Sequence, residues 1–158
     1  RAVGELKDTN IFFTMPNADT NNQIIFKLIK KFCLKKKNYY YFTSLGQVRY
    51  YSMLKNMDAV VGNSSSGLLE APSFKIGTIN IGDRQKGRLQ ASSIINCESN
   101  CKSIILALKK LYSKSFQKKL KSTKNPYGPK GASKKIIRQL KRTNFVSLKK
   151  EFKDLNVS

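Results

Sequence analysis

The sequence contains no histidine, and only nine acidic residues, three cysteines and four prolines stand among its 158 positions. Without histidine the commonest general base and the commonest metal ligand are missing. The cysteines, Cys33, Cys97 and Cys101, are odd in number and follow no zinc or disulfide spacing. They read as reduced thiols of a cytoplasmic protein, and neither a metal nor another cofactor is expected. No apolar run approaches the ~18 residues that a membrane span needs, so no membrane role is expected. The chain starts at Arg1 with no methionine and no apolar leader. That start suggests a piece of something longer rather than a signal peptide.

What is abundant is positive charge. Lys and Arg number 31, and the formal net charge is +22. Apolar residues make up 40% and charged residues 25%, a globular composition with length for one ordinary domain. From Lys102 to Lys150 there is no acidic residue and there are sixteen basic ones. Nucleic acid is the first partner such a stretch suggests. Against it, only six of the basic residues are Arg, the side chain that forks onto bases and phosphates. The lysines also lie opposite apolar helical stripes, where a solvated face belongs, and no finger, zipper or RNP-type motif is present. A Lys-rich surface with no specific nucleic-acid partner is the expectation.

Apolar periodicity predicts alternating strands and helices. Strands are expected at Asn10–Met15, Tyr39–Thr43, Asp58–Val61, Gly77–Ile81 and Ser92–Asn96. A helix capped by Asp19 or Thr20 should turn Ile25, Leu28, Ile29 and Phe32 inward. Further helices are expected over 47–56, with Tyr50, Leu54 and Met57 on one stripe, and over Ser64 to about Ser73. Three more follow: Asn100–Tyr112, with Ile104, Leu108, Leu111 and Tyr112 inward; Lys114–Lys121; and Ala132–Arg142, with Ile136, Ile137 and Leu140 inward. Lys124–Gly131, with two Pro and two Gly, is a loop. Residues 1–142 then form one α/β domain, a Rossmann-like parallel sheet with helices on both faces, and 143–158 a basic tail. Ligands of such sheets bind beyond the carboxyl ends of the strands.

Two segments fall at that edge. In the first, Val60–Glu70 (VVGNSSSGLLE), a strand meets a Gly turn at Gly62 and a helix starts among serines. With Ser64 as N-cap, free amides at Ser65, Ser66 and Gly67 would make an anion cradle for a phosphate or diphosphate. Glu70, one turn after Ser66, could accept both hydrogens of a vicinal diol such as a ribose. An ordinary capped helix with an exposed Glu fits the same spacing. The second segment, Ile79–Arg88 (INIGDRQKGR), brings Arg84, Lys86 and Arg88 to the same edge, and Arg suits a bidentate clamp on a diphosphate. A surface loop with scattered charge is its plainer reading.

These two runs, GNSSSGLLEAPSF (Gly62–Phe74) and INIGDRQKGR, closely resemble the carboxyl-terminal domain of hydrolysing UDP-N-acetylglucosamine 2-epimerases. MPNAD (Met15–Asp19), SLGQVRYYSML (Ser44–Leu54) and the Asn125-Pro126-Tyr127-Gly128 loop fit as well, so the resemblance covers roughly residues 10 to 142. It departs at Lys75-Ile76-Gly77, where the family commonly has Gly and Pro. The resemblance implies the second half of a two-domain fold of the glycosyltransferase-B type. By the same resemblance Gly62, Ser64 and Ser65 bind the diphosphate, Glu70 holds the ribose, and Arg84 reaches the phosphates or the sugar. Tyr50 stacks on uracil and Asn17 lines the cleft. The implied partners are UDP-N-acetylglucosamine or a related sugar nucleotide and a missing N-terminal Rossmann-like domain; a homo-oligomer is open.

The family eliminates UDP to a glycal and hydrates it, giving N-acetylmannosamine for sialic-acid-type sugars. Its acid/base carboxylates and histidine match nothing here, so no catalytic residue is expected in this chain, which alone should turn over no substrate. Relatives that act on UDP- or GDP-diacetylbacillosamine share the motifs. A glycosyltransferase half, a nucleotide-binding remnant without activity, and a basic nucleic-acid binder remain as other readings.

Overall fold

The computed structural model describes residues 2–16, 22–129 and 131–143. Among the described residues there are five strands: β1 (Ile11–Thr14), β2 (Tyr39–Phe42), β3 (Ala59–Gly62), β4 (Gly77–Ile81) and β5 (Ile94–Cys97). The helices are α1 (Asn22–Cys33), α2 (Gly46–Asn56), α3 (Ser66–Leu69), α4 (Cys101–Leu111), α5 (Lys114–Lys121) and α6 (Ala132–Arg142). Short 3-10 turns cover Ala2–Glu5 and Ala71–Phe74. The expected caps Asp19 and Thr20, the site candidate Asn17 and most of the basic tail lie outside the described residues.

All strand pairs are parallel, as the alternation of strands and helices requires. They form two ladders rather than the single sheet expected: β1 beside β2, and β3-β4-β5 with β4 in the centre. In the second ladder Val61 sits opposite Ile79 and Gly62 opposite Asn80, so the loops leaving β3 and β4 emerge at one edge. Central β4 is buried along nearly its whole length, which is why its sequence, GTINI, is apolar or uncharged throughout.

Alternation along these strands supplies two cores. Ile79 and Ile95 pack with Ala107, Leu108 and Leu111 of α4 and with Phe116 and Leu120 of α5. Leu54 of α2 packs with Ala71 and Ile76, and Tyr50, Tyr51, Val60 and Phe74 close around them. Helices therefore cover both faces of the β3-β4-β5 ladder, in a Rossmann-like layering. Caps fix the helix starts: Asn100 Oδ1 accepts from the Ser103 amide at 2.8 Å, and Ser113 Oγ accepts from the Phe116 amide.

Two inward stripes differ from expectation. In α1, Ile25 and Leu28 are 47% and 62% exposed, and the face turned inward carries Phe26, Ile29, Phe32 and Cys33. Phe32 sets this rotation by lying edge-on to Phe13 and stacked on Tyr39. Tyr112, expected inward, caps the end of α4 and is half exposed. The chain divides into two compact units, 1–127 and 128–158. In the second, α6 leaves Ile136, Ile137 and Leu140 exposed rather than inward.

Candidate functional site

The site is assembled at the carboxyl edge of β3 and β4. Gly62 ends β3 at φ 153°, a backbone angle that side chains rarely tolerate, and turns the chain into Asn63 and Ser64, both exposed. The helix expected from Ser64 to Ser73 is divided in two. Helix α3 spans only Ser66–Leu69, and after Glu70 the chain tightens into the 3-10 turn at Ala71–Phe74. Pro72 is the cause, because it has no N–H to extend the α ladder and disfavours helical geometry at Ala71.

Ser65, not Ser64, occupies the N-cap position. Ser64 instead forms the preceding turn: its hydroxyl accepts from the Ser66 amide at 3.3 Å and its carbonyl from the Gly67 amide at 3.2 Å. Two of the three amides expected to be free are thus engaged, and a helix of four residues adds little dipole. What the loop does present is hydroxyl groups, at an exposed Ser64 and at half-buried Ser65 and Ser66. Gly67 allows α3 to lie against β4. A Cβ there would stand 2.6 Å from the Thr78 methyl, and the Thr78 hydroxyl donates to the Gly67 carbonyl at 2.9 Å.

Glu70 is held by both oxygens. Ser66 Oγ donates to Oε2 at 2.5 Å, and Tyr51 OH donates to Oε1 at 3.4 Å. Tyr50 OH lies 2.5 Å from Ser66 Oγ; since the Ser66 proton goes to Glu70, the phenol is the donor to Ser66. Burial raises the Tyr50 pKa above the ordinary phenol value; the Ser66 hydrogen bond opposes this and the neighbouring Glu70 charge adds to it. The phenol therefore remains protonated, and a donor, at neutral pH.

Arg84, Lys86 and Arg88 are all exposed on the loop after β4. Between them Gln85 is buried, with only 3% of its surface exposed, and its amide donates to the Asn63 carbonyl at 2.8 Å. This bond ties the arginine-bearing loop to the serine loop. The asparagine loop behind α3 is anchored too: Asn125 Nδ2 donates to the Leu69 carbonyl at 2.8 Å and to Ser73 Oγ at 2.7 Å, and Tyr127 OH to the Leu89 carbonyl at 3.1 Å.

The structure thus brings Gly62, Ser64, Ser65, Glu70 and Tyr50 together and joins the Arg84 loop to them. Sequence reasoning missed Ser66 and Tyr51 as partners of Glu70, and Gln85 as the link between loops. The four-residue spacing of Ser66 and Glu70 is a signal that could have found the first; nothing in Asp83–Arg88 distinguishes Gln85 from its exposed neighbours. Among the described residues no cluster of metal-ligating side chains is present, and no helix is long and apolar enough to cross a membrane.

The family profile described as UDP-N-acetylglucosamine 2-epimerase matches residues 1–141. The GDP/UDP-N,N'-diacetylbacillosamine 2-epimerase (hydrolyzing) of Campylobacter jejuni is 43% identical over 158 residues, covering 98% of this chain and 41% of that protein. The polysialic acid biosynthesis protein P7 of Escherichia coli is 37% identical over 155 residues, 97% of this chain and 39% of that protein. The chain therefore spans about two-fifths of the length of these relatives. Among solved structures, the UDP-GlcNAc 2-epimerase of Methanocaldococcus jannaschii in complex with UDP-GlcNAc and UDP matches with a TM-score of 0.67 at 20% identity, over 86% of this chain and 36% of that one. The S. aureus MnaA–UDP co-structure matches at 0.71 and 19% identity, over 89% and 37%. With a parallel Rossmann-like fold, the serine loop and the arginine loop in their order, and a profile match across most of its length, the chain belongs to the UDP-N-acetylglucosamine 2-epimerase family.

Proposed function

We propose that this chain is the carboxyl-terminal, nucleotide-binding half of a hydrolysing sugar-nucleotide 2-epimerase of glycosyltransferase-B architecture, active in the cytoplasm. The observation that carries the reading is Glu70. It is a half-buried carboxylate, oriented through both oxygens, standing one turn from the half-buried Ser66, on the same loop as the exposed Ser64, and across a bridged loop from Arg84. Each carboxylate oxygen has a further lone pair for a ribose hydroxyl. Gly62, Ser64 and Ser65 meet the diphosphate with hydroxyls and backbone, and Arg84 supplies charge and a planar fork. Tyr50 contributes its ring to uracil, and Asn17 lines the cleft from beyond the described residues.

In the reaction a base removes the C2 proton, the C1–O bond breaks, and UDP leaves with the electron pair. Water then adds across the glycal double bond to give N-acetylmannosamine from UDP-N-acetylglucosamine. The groups gathered here act on the departing diphosphate, lowering the barrier by stabilising charge as it develops. Proton transfer at C2 falls to the other half of the protein. A second reading of the sugar, diacetylbacillosamine, is favoured by the 43% identity to the Campylobacter jejuni enzyme.

Calorimetric titration with UDP tests the proposal. Saturable binding is expected, and Glu70→Ala should weaken it about 10-fold or more, the worth of hydrogen bonds to a charged group. Absence of UDP binding, or equal binding by the variant, would overturn it.

A further inference from the structure

Glu70 is reached by a directed chain of hydroxyl protons that crosses between two helices. Tyr50 and Tyr51 are consecutive residues of α2, Ser66 is the first residue of α3, and Glu70 follows α3. Gln47 Nε2 donates to Tyr51 OH at 3.4 Å, Tyr51 OH donates to Glu70 Oε1, and Tyr50 OH donates to Ser66 Oγ, which donates to Glu70 Oε2. Ser66 is the one group in this set with a hydrogen bond to both Tyr50 and Glu70. A serine hydroxyl has a single proton, and the protonated phenol leaves it only one place to send that proton, the carboxylate. The hydroxyl is thereby fixed as a donor instead of rotating freely. Glu70 itself sits where α3 has ended and the 3-10 turn begins, so the helix ladder alone does not set its side-chain direction.

We propose that Ser66 is a positioning residue: with its proton directed by Tyr50, it holds the Glu70 carboxylate in the orientation that receives the ribose hydroxyls. This rests on the reading of Glu70 as the ribose ligand. Ser66 touches no ligand in the proposal and acts through Glu70. The ligand class it governs is the ribonucleoside diphosphate as against its 2′-deoxy counterpart, because a misaligned carboxylate loses the bidentate grip on the diol before it loses the phosphates.

The test is the ratio of affinities for UDP and 2′-deoxy-UDP, measured calorimetrically on the wild-type chain and on Ser66→Ala, Ser66→Thr and Glu70→Ala. The wild type should prefer UDP by about 10- to 100-fold, the range of a hydrogen bond to an ionised partner. Glu70→Ala should abolish the preference, Ser66→Ala should bring it down to within about threefold of that variant, and Ser66→Thr, which keeps the hydroxyl, should restore it. A purely structural role for Ser66 would move both affinities together and leave the ratio intact. If Ser66→Ala unfolds, Tyr50→Phe, which removes only the donor to Ser66, must lower the ratio by itself. Loss of the preference in Glu70→Ala but not in Ser66→Ala or Tyr50→Phe would overturn the inference and leave the ribose reading standing. A wild type with no preference for UDP would overturn both.

Discussion

Gln85 is a neutral amide among charged neighbours, and its burial is what makes it consequential. Its Nε2 bonds the Asn63 carbonyl, while its Oε1 is buried with no hydrogen-bond partner among the described residues. Gln85→Ala leaves that carbonyl short of a donor and opens a gap at the loop junction. A loss of about 1–2 kcal/mol in urea unfolding is expected, with weaker UDP binding because the Arg84 loop is no longer tied. The stability loss and the affinity loss should appear together; an affinity loss without destabilisation would assign Gln85 to the ligand instead. At this scale the sequence was legible where chemistry follows spacing along one segment, as with Glu70 placed just after the serine loop; the Ser66–Glu70 bond, though missed, left a readable four-residue spacing. It was not legible where partners come from distant segments, because a hydrogen bond spanning Asn63 to Gln85, or Tyr51 to Glu70, leaves no local pattern.

Among the elements, the 3-10 turn after Glu70 ends on Lys75 at φ 57°, in the left-handed region. A lysine there carries a steric cost that glycine does not, and the resembling family commonly has glycine near this point. Lys75→Gly should therefore raise stability by roughly 0.5–1 kcal/mol, the relief of the left-handed strain less the added flexibility of the unfolded chain. Thermal melting checks this, and a lower melting temperature would show that the lysine side chain compensates elsewhere. The limits of β4, α5 and α6 were readable residue for residue, since Gly77, Ser113 and Gly131 mark their starts. The inward face of α1 was not, because its apolar residues cover more than one face and only the rings of Phe13 and Tyr39 select among them. The interruption at Glu70 was half legible: a helix end near Ser73 was expected, where Pro72 stands, but α3 already ends at Leu69.

For the molecule as a whole, parallel topology was legible from alternation, while the separation into two ladders depends on hydrogen bonding between strands far apart in sequence. The excess of positive charge belongs to the surface and not to the site alone, since the lysines of α5 and α6 are exposed, as Arg84 is. The register of β3 against β4 has a further consequence. The serine loop and the arginine loop leave adjacent strands of one ladder, so the pair exists only while that ladder is intact. A sugar nucleotide bound there has nothing to hold in the unfolded chain. UDP at 100 times its dissociation constant should then protect the fold by about 2.7 kcal/mol, a rise of roughly 5–11 °C in melting temperature. Melting curves recorded against a panel of uridine and guanosine diphosphate sugars would rank the natural ligand without any turnover being needed.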